Sequence, residues 1–471
     1  MKCSIIFFIF LISNAIAFGQ SKKITLQEAI ETAINNNILV RQRALQVEAA
    51  EVNYKQSKTN LFPSLNANVN HGINKGRSID PFTNAYVNQK INYANYGVGS
   101  GVVLFNGFGL RNNIRRNAYA YDATKMELQL EKENLTLDVI LAYLQVLSNE
   151  DLVELSKRHV EVSQKQILRL EILNREGAIT PNLLYDLRAQ QKTDEVSLVD
   201  NKNAVESSKL FLFQLMNVPY NPAAELERVS VEELLSKYAA TADEIYNKAI
   251  EQLSAVKAAQ LRTKSSEAAL KAARSELFPT LSLNGGLNSN YSSLARREIL
   301  VNTTDIASTN YVVVNGVQVP VMVKQQNFNS EKIGYNNQLK KNVFSNIGVA
   351  LSIPIFNSFQ VRNRIKLAAI GVKDNELVEE NTRLQLRQEI DQAYLNMSNA
   401  WERYKVLLEQ VNAYAESFRA AEVRFNAGVG NSVDYLIAKN NLDRANINLV
   451  AAKYDYILRT KILDFYRNGG R

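Results

Sequence analysis

The chain has 471 residues and a formal charge of +8, from 55 Lys and Arg against 47 Asp and Glu, with 46% hydrophobic residues, one Cys and two His. A disulfide scaffold and a Cys/His metal centre are excluded by those counts. Basic residues are interleaved with acidic ones, as in Glu131-Lys132-Glu133 and Lys157-Arg158-His159-Val160-Glu161, which describes solvated helix faces and not a nucleic-acid surface.

Met1-Lys2, the apolar run Ile5 to Ile12 and Ala15-Ile16-Ala17 with Gly19 read as a secretory signal peptide over 1–19, cut before Gln20. Cys3 falls inside it, so the exported chain is cysteine-free. No later stretch reaches the roughly 20 apolar residues of a transmembrane helix.

A first repeat occupies 20–240. Thr25-x-x-Glu28 is a capping box that opens a helical run. That run stops at Leu61-Phe62-Pro63, because proline cannot continue a helix and pushes the preceding residue out of helical geometry. Leu65, Ala67, Val69 and Ile73 then alternate with Asn66, Asn68, Asn70 and Gly72, predicting a strand over about 64–73. After a polar loop, Tyr96, Val98, Val102 and Leu104 face away from Gly97, Gly99 and Gly101 in a second strand, about 95–105. From about 108 to 175 nothing breaks a helical pattern, which at 1.5 Å per residue reaches about 100 Å. Leu152, Leu155, Val162 and Leu173 fall at coiled-coil spacing. A tip at about 175–183, with Gly177 and a Thr180-Pro181 helix start, leads into a second helix and then a linker over about 217–240 carrying Pro219 and Pro222.

The pattern recurs over 241–471. An offset of about 216 superposes Thr25 on Thr241, Glu28 on Glu244 and Pro63 on Pro279; one of about 251 superposes Phe105-Asn106 on Phe356-Asn357, Tyr143 on Tyr394 and Gly177 on Gly428. The offset changes between the strands, so the second copy has a longer loop between strands at about 280–291 and 345–356. Within that loop Asn315-Gly316, flanked by valines, is a type I′ hairpin signal for a small extra ribbon. The second tip, about 424–434, has Gly428 for a tight turn, Ser432 or Asn431 to cap the next helix and Asp434 in its first turn, near the positive dipole end.

Each extended run is about 10 residues long with one apolar and one polar face, as in a tilted transmembrane strand. Alternation alone fits a soluble sheet packed on helices better. The export signal, the Asn- and Gly-rich polar faces and the polar loops turn the reading towards membrane strands. Four strands cannot close a barrel in lipid, since an open edge leaves backbone groups unpaired. Other copies must supply the rest, 8 strands in a dimer or 12 in a trimer, and only the larger barrel holds an aqueous passage.

The duplicated order of helix, Leu-Phe-Pro, strand, loop, strand, Phe-Asn and long helical hairpin resembles the outer membrane efflux protein family, the TolC-like exit ducts, over nearly the whole mature chain. The resemblance implies an α+β membrane protein: a homotrimeric 12-stranded transmembrane β-barrel, four strands per protomer, in outer-membrane lipid, continued by a long α-helical periplasmic tube. It implies an exit duct of a tripartite efflux or type I secretion system, with a periplasmic adaptor protein and an inner-membrane pump as partners. The residues themselves, with no mature cysteine, metal spacing, nucleophile constellation or phosphate loop, predict no catalytic residue or cofactor, and no nucleic acid is expected. The linker would form part of a belt around mid-tube.

Arg424-x-x-x-Gly428 followed by Ser432-x-Asp434 is similar to the family's tip turn. It implies that Gly177, Thr180, Pro181, Arg424, Gly428 and Ser432 form the adaptor-docking tip, and that three copies of Asp434 form a negative ring at a pore constriction. The first tip departs from the pattern, with Arg175 two residues before its glycine and Leu183 where the second has Asp434. Ile437 stands one turn beyond Asp434, where some members carry a second acid. The competing reading is an exported coiled-coil scaffold or adhesin without channel activity.

Overall fold

The computed structural model describes residues 23–80, 82–228 and 236–470; the expected signal peptide lies outside the described residues. The first half runs α1 (Leu26–Asn36), α2 (Ile38–Thr59), β1 (Ser64–Asn74), β2 (Arg77–Ile79), β3 (Tyr86–Asn88), β4 (Ile91–Asn106), α3 (Gly109–Arg175) and α4 (Pro181–Met216). The second runs α5 (Ala242–Gln252), α6 (Ser254–Ser275), β5 (Thr280–Ser292), β6 (Arg296–Val314), β7 (Val317–Lys332), α7 (Tyr335–Lys341), β8 (Phe344–Ser352), α8 (Gln360–Asn426) and α9 (Ser432–Arg467). Corresponding helices match residue for residue: 11 in α1 and α5, 22 in α2 and α6, 67 in α3 and α8, 36 in α4 and α9.

Two compact units result, and each draws on both halves: one comprises the described residues of Met1–Val52, Ala118–Ser265 and Val372–Arg471, the other Asn53–Asn117 and Ser266–Gly371.

The first unit is helical. Both capping boxes form, with the Glu28 amide donating to Thr25 Oγ1 at 3.0 Å and the Glu244 amide donating to Thr241 Oγ1 at 3.3 Å. The run before Pro63 is two helices, not one. Asn37 takes extended geometry and its Oδ1 accepts from the amides of Leu39 and Val40, at 2.8 and 3.2 Å, restarting the chain as α2. Leu253 makes the same break in the second half, where its side chain is buried in the core. One core gathers Ala29, Ala33, Val139, Tyr143, Leu212, Phe213 and Ile457; a second gathers Ile245, Ala249, Ile390, Tyr456 and Leu463. The Tyr143 hydroxyl, 2.8 and 2.7 Å from the carbonyl oxygens of Ile24 and Glu227, ties the chain segments beside α1 and after α4 to α3.

The second unit is built on an antiparallel sheet of order β1-β4-β5-β8. The register pairs Val69 with Tyr96, Val98 with Leu287 and Leu283 with Val349, so the apolar positions share one face. Leu65, Val69, Leu287, Ile347, Val349 and Leu351 on that face are all exposed. Asn68 pairs with Gly97 and Gly97 with Asn288, which puts the amides and glycines on the other face. β8 stops at Ser352, short of the expected end, because Pro354 has no N–H to donate to a ladder. Within the described chain the outer edges of β1 and β8 carry no strand partner.

Both strand-to-helix turns put two consecutive residues at positive φ: Gly107 (63°) with Phe108 (66°), and Ser358 (52°) with Phe359 (60°). Left-handed geometry is uncommon for a bulky residue. Edge-to-face ring pairs, Phe105 with Phe108 at 5.6 Å and Phe356 with Phe359 at 5.5 Å, pack against these turns. A Cβ at Gly107 would lie 2.7 Å from the Cβ of Phe278, so the Phe-Asn turn fits against the Leu-Phe-Pro corner only with glycine there.

The loops hold more structure than the sequence announces. β2 pairs with β3, and β6 with β7 in a ribbon of 19- and 16-residue strands. At its tip Asn315 and Gly316 have φ of 52° and 83°, as a type I′ turn requires. Buried Gln338 of α7 bonds both the amide and the carbonyl of Ser292 at 2.9 Å, while the Ser292 hydroxyl donates to Asp80 at 2.5 Å, so α7 and Asp80 are pinned to the end of β5. Among the described residues no helix is long and apolar enough to cross a membrane.

Candidate functional site: the helical tips

The two tips close the hairpins α3–α4 and α8–α9 within the helical unit. Both end their first helix in a Schellman motif. The Ala178 amide donates to the Leu173 carbonyl at 2.8 Å and Gly177 to Asn174 at 3.1 Å; Val429 donates to Arg424 and Gly428 to Phe425, each at 3.1 Å. Gly177 (φ 72°) and Gly428 (φ 76°) occupy the left-handed position. No atom lies within 4 Å of a Cβ at either, so the backbone, not lack of space, demands glycine.

The remaining expected tip residues divide by role. Asn431 is the N-cap of α9, its Oδ1 accepting from the Asp434 amide at 2.7 Å, and Ser432 is simply the first helical residue. Thr180 precedes Pro181 at the start of α4 but makes no side-chain cap bond. Asp434 is exposed in the first turn of α9. Arg424 contributes its carbonyl, which also accepts from the Gly430 amide at 3.0 Å, while its guanidinium reaches only the Ala420 carbonyl of its own helix at 3.4 Å. Leu173 supplies the matching carbonyl in the first tip, so the turn itself needs no arginine. Leu183 packs into an apolar cluster where Asp434 faces solvent.

That cluster joins the two hairpins. Phe425 and Tyr435 pack with Ile167, Leu170, Leu184 and Leu187, the two rings stacked at 4.8 Å. The Arg169 guanidinium of α3 donates to the Asn426 carbonyl at 2.6 Å and also bonds its side chain, satisfying an orphan carbonyl at the end of α8. Among the described residues the Tyr435 hydroxyl is buried without a hydrogen-bond partner. Burial, with the carboxylates of Glu422, Asp443 and Asp194 nearby, pushes that phenol above its ordinary value.

One turn further along α9 lies a buried ionic knot that spacing does not reveal. Lys439 Nζ is 3.0 Å from Asp194 Oδ2 on α4 and 2.6 Å from Asp443 Oδ2 on its own helix. Ser163 of α3 donates to Asp194, and His159 Nε2 of α3 lies 3.1 Å from Asp443 Oδ1. Burial holds the His159 imidazole below its ordinary value, outweighing the Asp443 carboxylate that favours the charged form. α4 and α9 are thereby tied by charge, and α3 by its Ser163 hydroxyl and His159 imidazole. Lys439 and Asp443 look like an ordinary surface pair at i,i+4 unless the inward face of α9 is known. Gly430 was also missed. It has no positive φ, but a Cβ there would lie 3.0 Å from the Phe425 amide nitrogen. Among the described residues no group of three or more His, Cys, Asp or Glu is placed to hold a metal.

An antiparallel sheet with one exposed apolar face and one amide face, joined in one chain to twinned helical hairpins, has the parts of an outer-membrane channel protomer. The outer membrane efflux protein family matches residues 29–218 and 245–464, and the chain belongs to that family. It is similar to the outer membrane protein TolC of Escherichia coli (strain K12), 20% identical over 390 residues, which are 77% of this chain and 72% of that protein. Its fold is similar to that of the outer membrane protein VceC of Vibrio cholerae (TM-score 0.74, 13% identity, covering 94% of this chain and 96% of that one). It is also similar to the open state of the MtrE outer membrane channel of Neisseria gonorrhoeae (TM-score 0.71, 17% identity, covering 94% and 88%). The protein is thus an outer-membrane efflux protein. Family membership favours the duct over the scaffold or adhesin reading.

Proposed function

We propose that three copies assemble a 12-stranded barrel by pairing β1 of one protomer with β8 of the next, and that the assembly is the exit duct of a tripartite efflux or type I secretion system. The observation that carries this is the pair of unpartnered strand edges on a sheet whose apolar face is exposed, an arrangement that lipid tolerates only when the sheet closes. Twelve strands leave room for an aqueous passage, whereas eight do not. The matched helix lengths support two repeats, 20–240 and 241–471, so that three chains line the tube with a double set of hairpins.

The tips dock a periplasmic adaptor, itself engaged by an inner-membrane pump. Gly177 and Gly428 set the two turns, Thr180-Pro181 and Ser432 begin the helices behind them, and Arg424 stands beside the second turn. Three Asp434 carboxylates about the threefold axis form a negative constriction. Opening moves the tip helices between two packings, with adaptor binding favouring the open one. Planar-bilayer recording tests the duct. Discrete conductance steps from the purified protein are expected; a folded protein giving none would return the scaffold reading.

A further inference from the structure

The polar face of the sheet contains more glycine than a strand tolerates without reason. Glycine and asparagine are both poor strand formers, and glycine weakens a strand by entropy and by leaving nothing to pack. Gly97, Gly101 and Gly286 have no positive φ, so the backbone does not call for them. The neighbouring side chains do. A Cβ at Gly97 would lie 2.7 Å from Asn68 Oδ1 and 2.8 Å from Asn288 Oδ1; one at Gly101, 2.8 Å from Asn284 Oδ1; one at Gly286, 2.9 Å from Asn346 Oδ1. Each of these asparagines is the direct cross-strand partner of the glycine it covers. The amides therefore lie flat across the neighbouring strands instead of standing up from the sheet. A hollow of ≈ 660 Å³ opens here, lined by Asn68, Asn95, Asn288, Asn290 and Asn342 among others, with Lys341 of α7 the one charged residue in its lining. None of the residues of β1, β4, β5 or β8 is Asp, Glu, Lys or Arg.

We propose that asparagine side chains laid over glycines of the adjoining strands give the barrel wall a thin amide lining with no charge on its strands, which keeps the lumen wide and admits bulky hydrogen-bonding solutes whatever their charge. This rests on the duct reading, in which the polar face is the lumen. Flat amides widen the passage by the height of a side chain on every strand that carries them. They also present donors and acceptors together, so a passing polar solute exchanges water for amide contacts at little cost. Charged rings are what make a pore ion-selective, and the strands of this wall carry none. Any charge selectivity then arises outside the strands.

Gly97→Ala is the sensitive test, because one methyl adds little bulk of its own yet must displace both Asn68 and Asn288. Gly99→Ala is its control: it lies on the same face, and its nearest atom is a backbone oxygen at 4.0 Å. In planar bilayers Gly97→Ala should lower single-channel conductance and shift the exclusion of neutral polyethylene glycols to smaller sizes. Gly99→Ala should do neither. In an Asn68→Ser/Asn288→Ser background Gly97→Ala should become silent. Light scattering of each variant shows whether the particle mass is kept. Equal effects of Gly97→Ala and Gly99→Ala at unchanged mass would overturn the proposal. If Gly97→Ala fails to assemble, Asn68→Asp decides, since it leaves the glycine untouched. It should shift the reversal potential towards cation selectivity, and an unshifted potential overturns the lining. Absence of any conductance from the wild-type protein would instead strike at the duct reading itself.

Discussion

Lys439→Met isolates the knot behind the tips. The Lys439 side chain is 3% exposed and that of Asp194 7%, so the variant strands a carboxylate that water scarcely reaches, while Asp443, at 17%, keeps His159. Removing one partner of a buried pair costs about 3–5 kcal/mol, most of it the penalty of the charge left behind. The methionine retains the apolar stem, so little of the loss is packing. About 4 kcal/mol of local opening free energy corresponds to roughly a thousandfold loss of amide protection. Hydrogen exchange followed by mass spectrometry on detergent-solubilised protein should show that loss in peptides around His159, Asp194 and Lys439 and leave the α1 region unchanged. Adding Asp194→Asn should recover at least half of it, because the amide is neutral and keeps Ser163 and Gln190 as neighbours. Wild-type protection in Lys439→Met, or further loss on adding Asp194→Asn, would refute the reasoning.

Further outcomes follow from the same contacts. His159, held low by burial among Asp443, Lys439 and Asp194, binds a proton more readily in the unfolded chain, so the tip should be fully stable above its ordinary value of 6.5 and weaken as pH falls below it. His159→Gln should flatten that slope in local exchange measurements; a local readout is needed because Glu133, raised by burial in α3, has the opposite slope. Gly428→Val forces a β-branched residue into left-handed geometry at a cost of about 1–2 kcal/mol and should impair export, while normal export would count against the docking role. Tyr435→Phe removes a buried hydroxyl with no partner among the described residues and should leave stability unchanged or raise it by about 1 kcal/mol. Asp434→Ala should weaken cation block of single-channel current, and unchanged block would remove the carboxylate ring.

The fold was legible wherever local chemistry and tertiary context agree. Pro63 and Pro279 mark helix-to-strand corners, the capping boxes form at Thr25 and Thr241, and uninterrupted pattern foretells the 67-residue helices. It failed where packing decides. Within the described chain, Val162 of α3 is exposed at 39% whereas Ser156, Ser163 and Gln166 are buried, so the inward stripe there is polar and apolar spacing does not find it. The break at Asn37 recurs at Leu253, two residues with no shared helix-breaking chemistry, so the repeat's packing sets it. The β6–β7 ribbon is far longer than the Asn315-Gly316 signal suggested, since its middle is polar and two register shifts spoil the alternation. At the tips the glycines were readable from turn chemistry. The knot at Lys439 was not, because a charged residue turned inward has the same spacing as one turned outward.

The central claim is that this chain completes a barrel only with copies of itself. The most direct test is the mass of the protein solubilised from outer membranes, measured by light scattering with the detergent contribution subtracted. The account predicts three chains per particle, hence 12 strands. A particle of one chain, soluble without detergent, would contradict it and leave the four strands as an ordinary sheet.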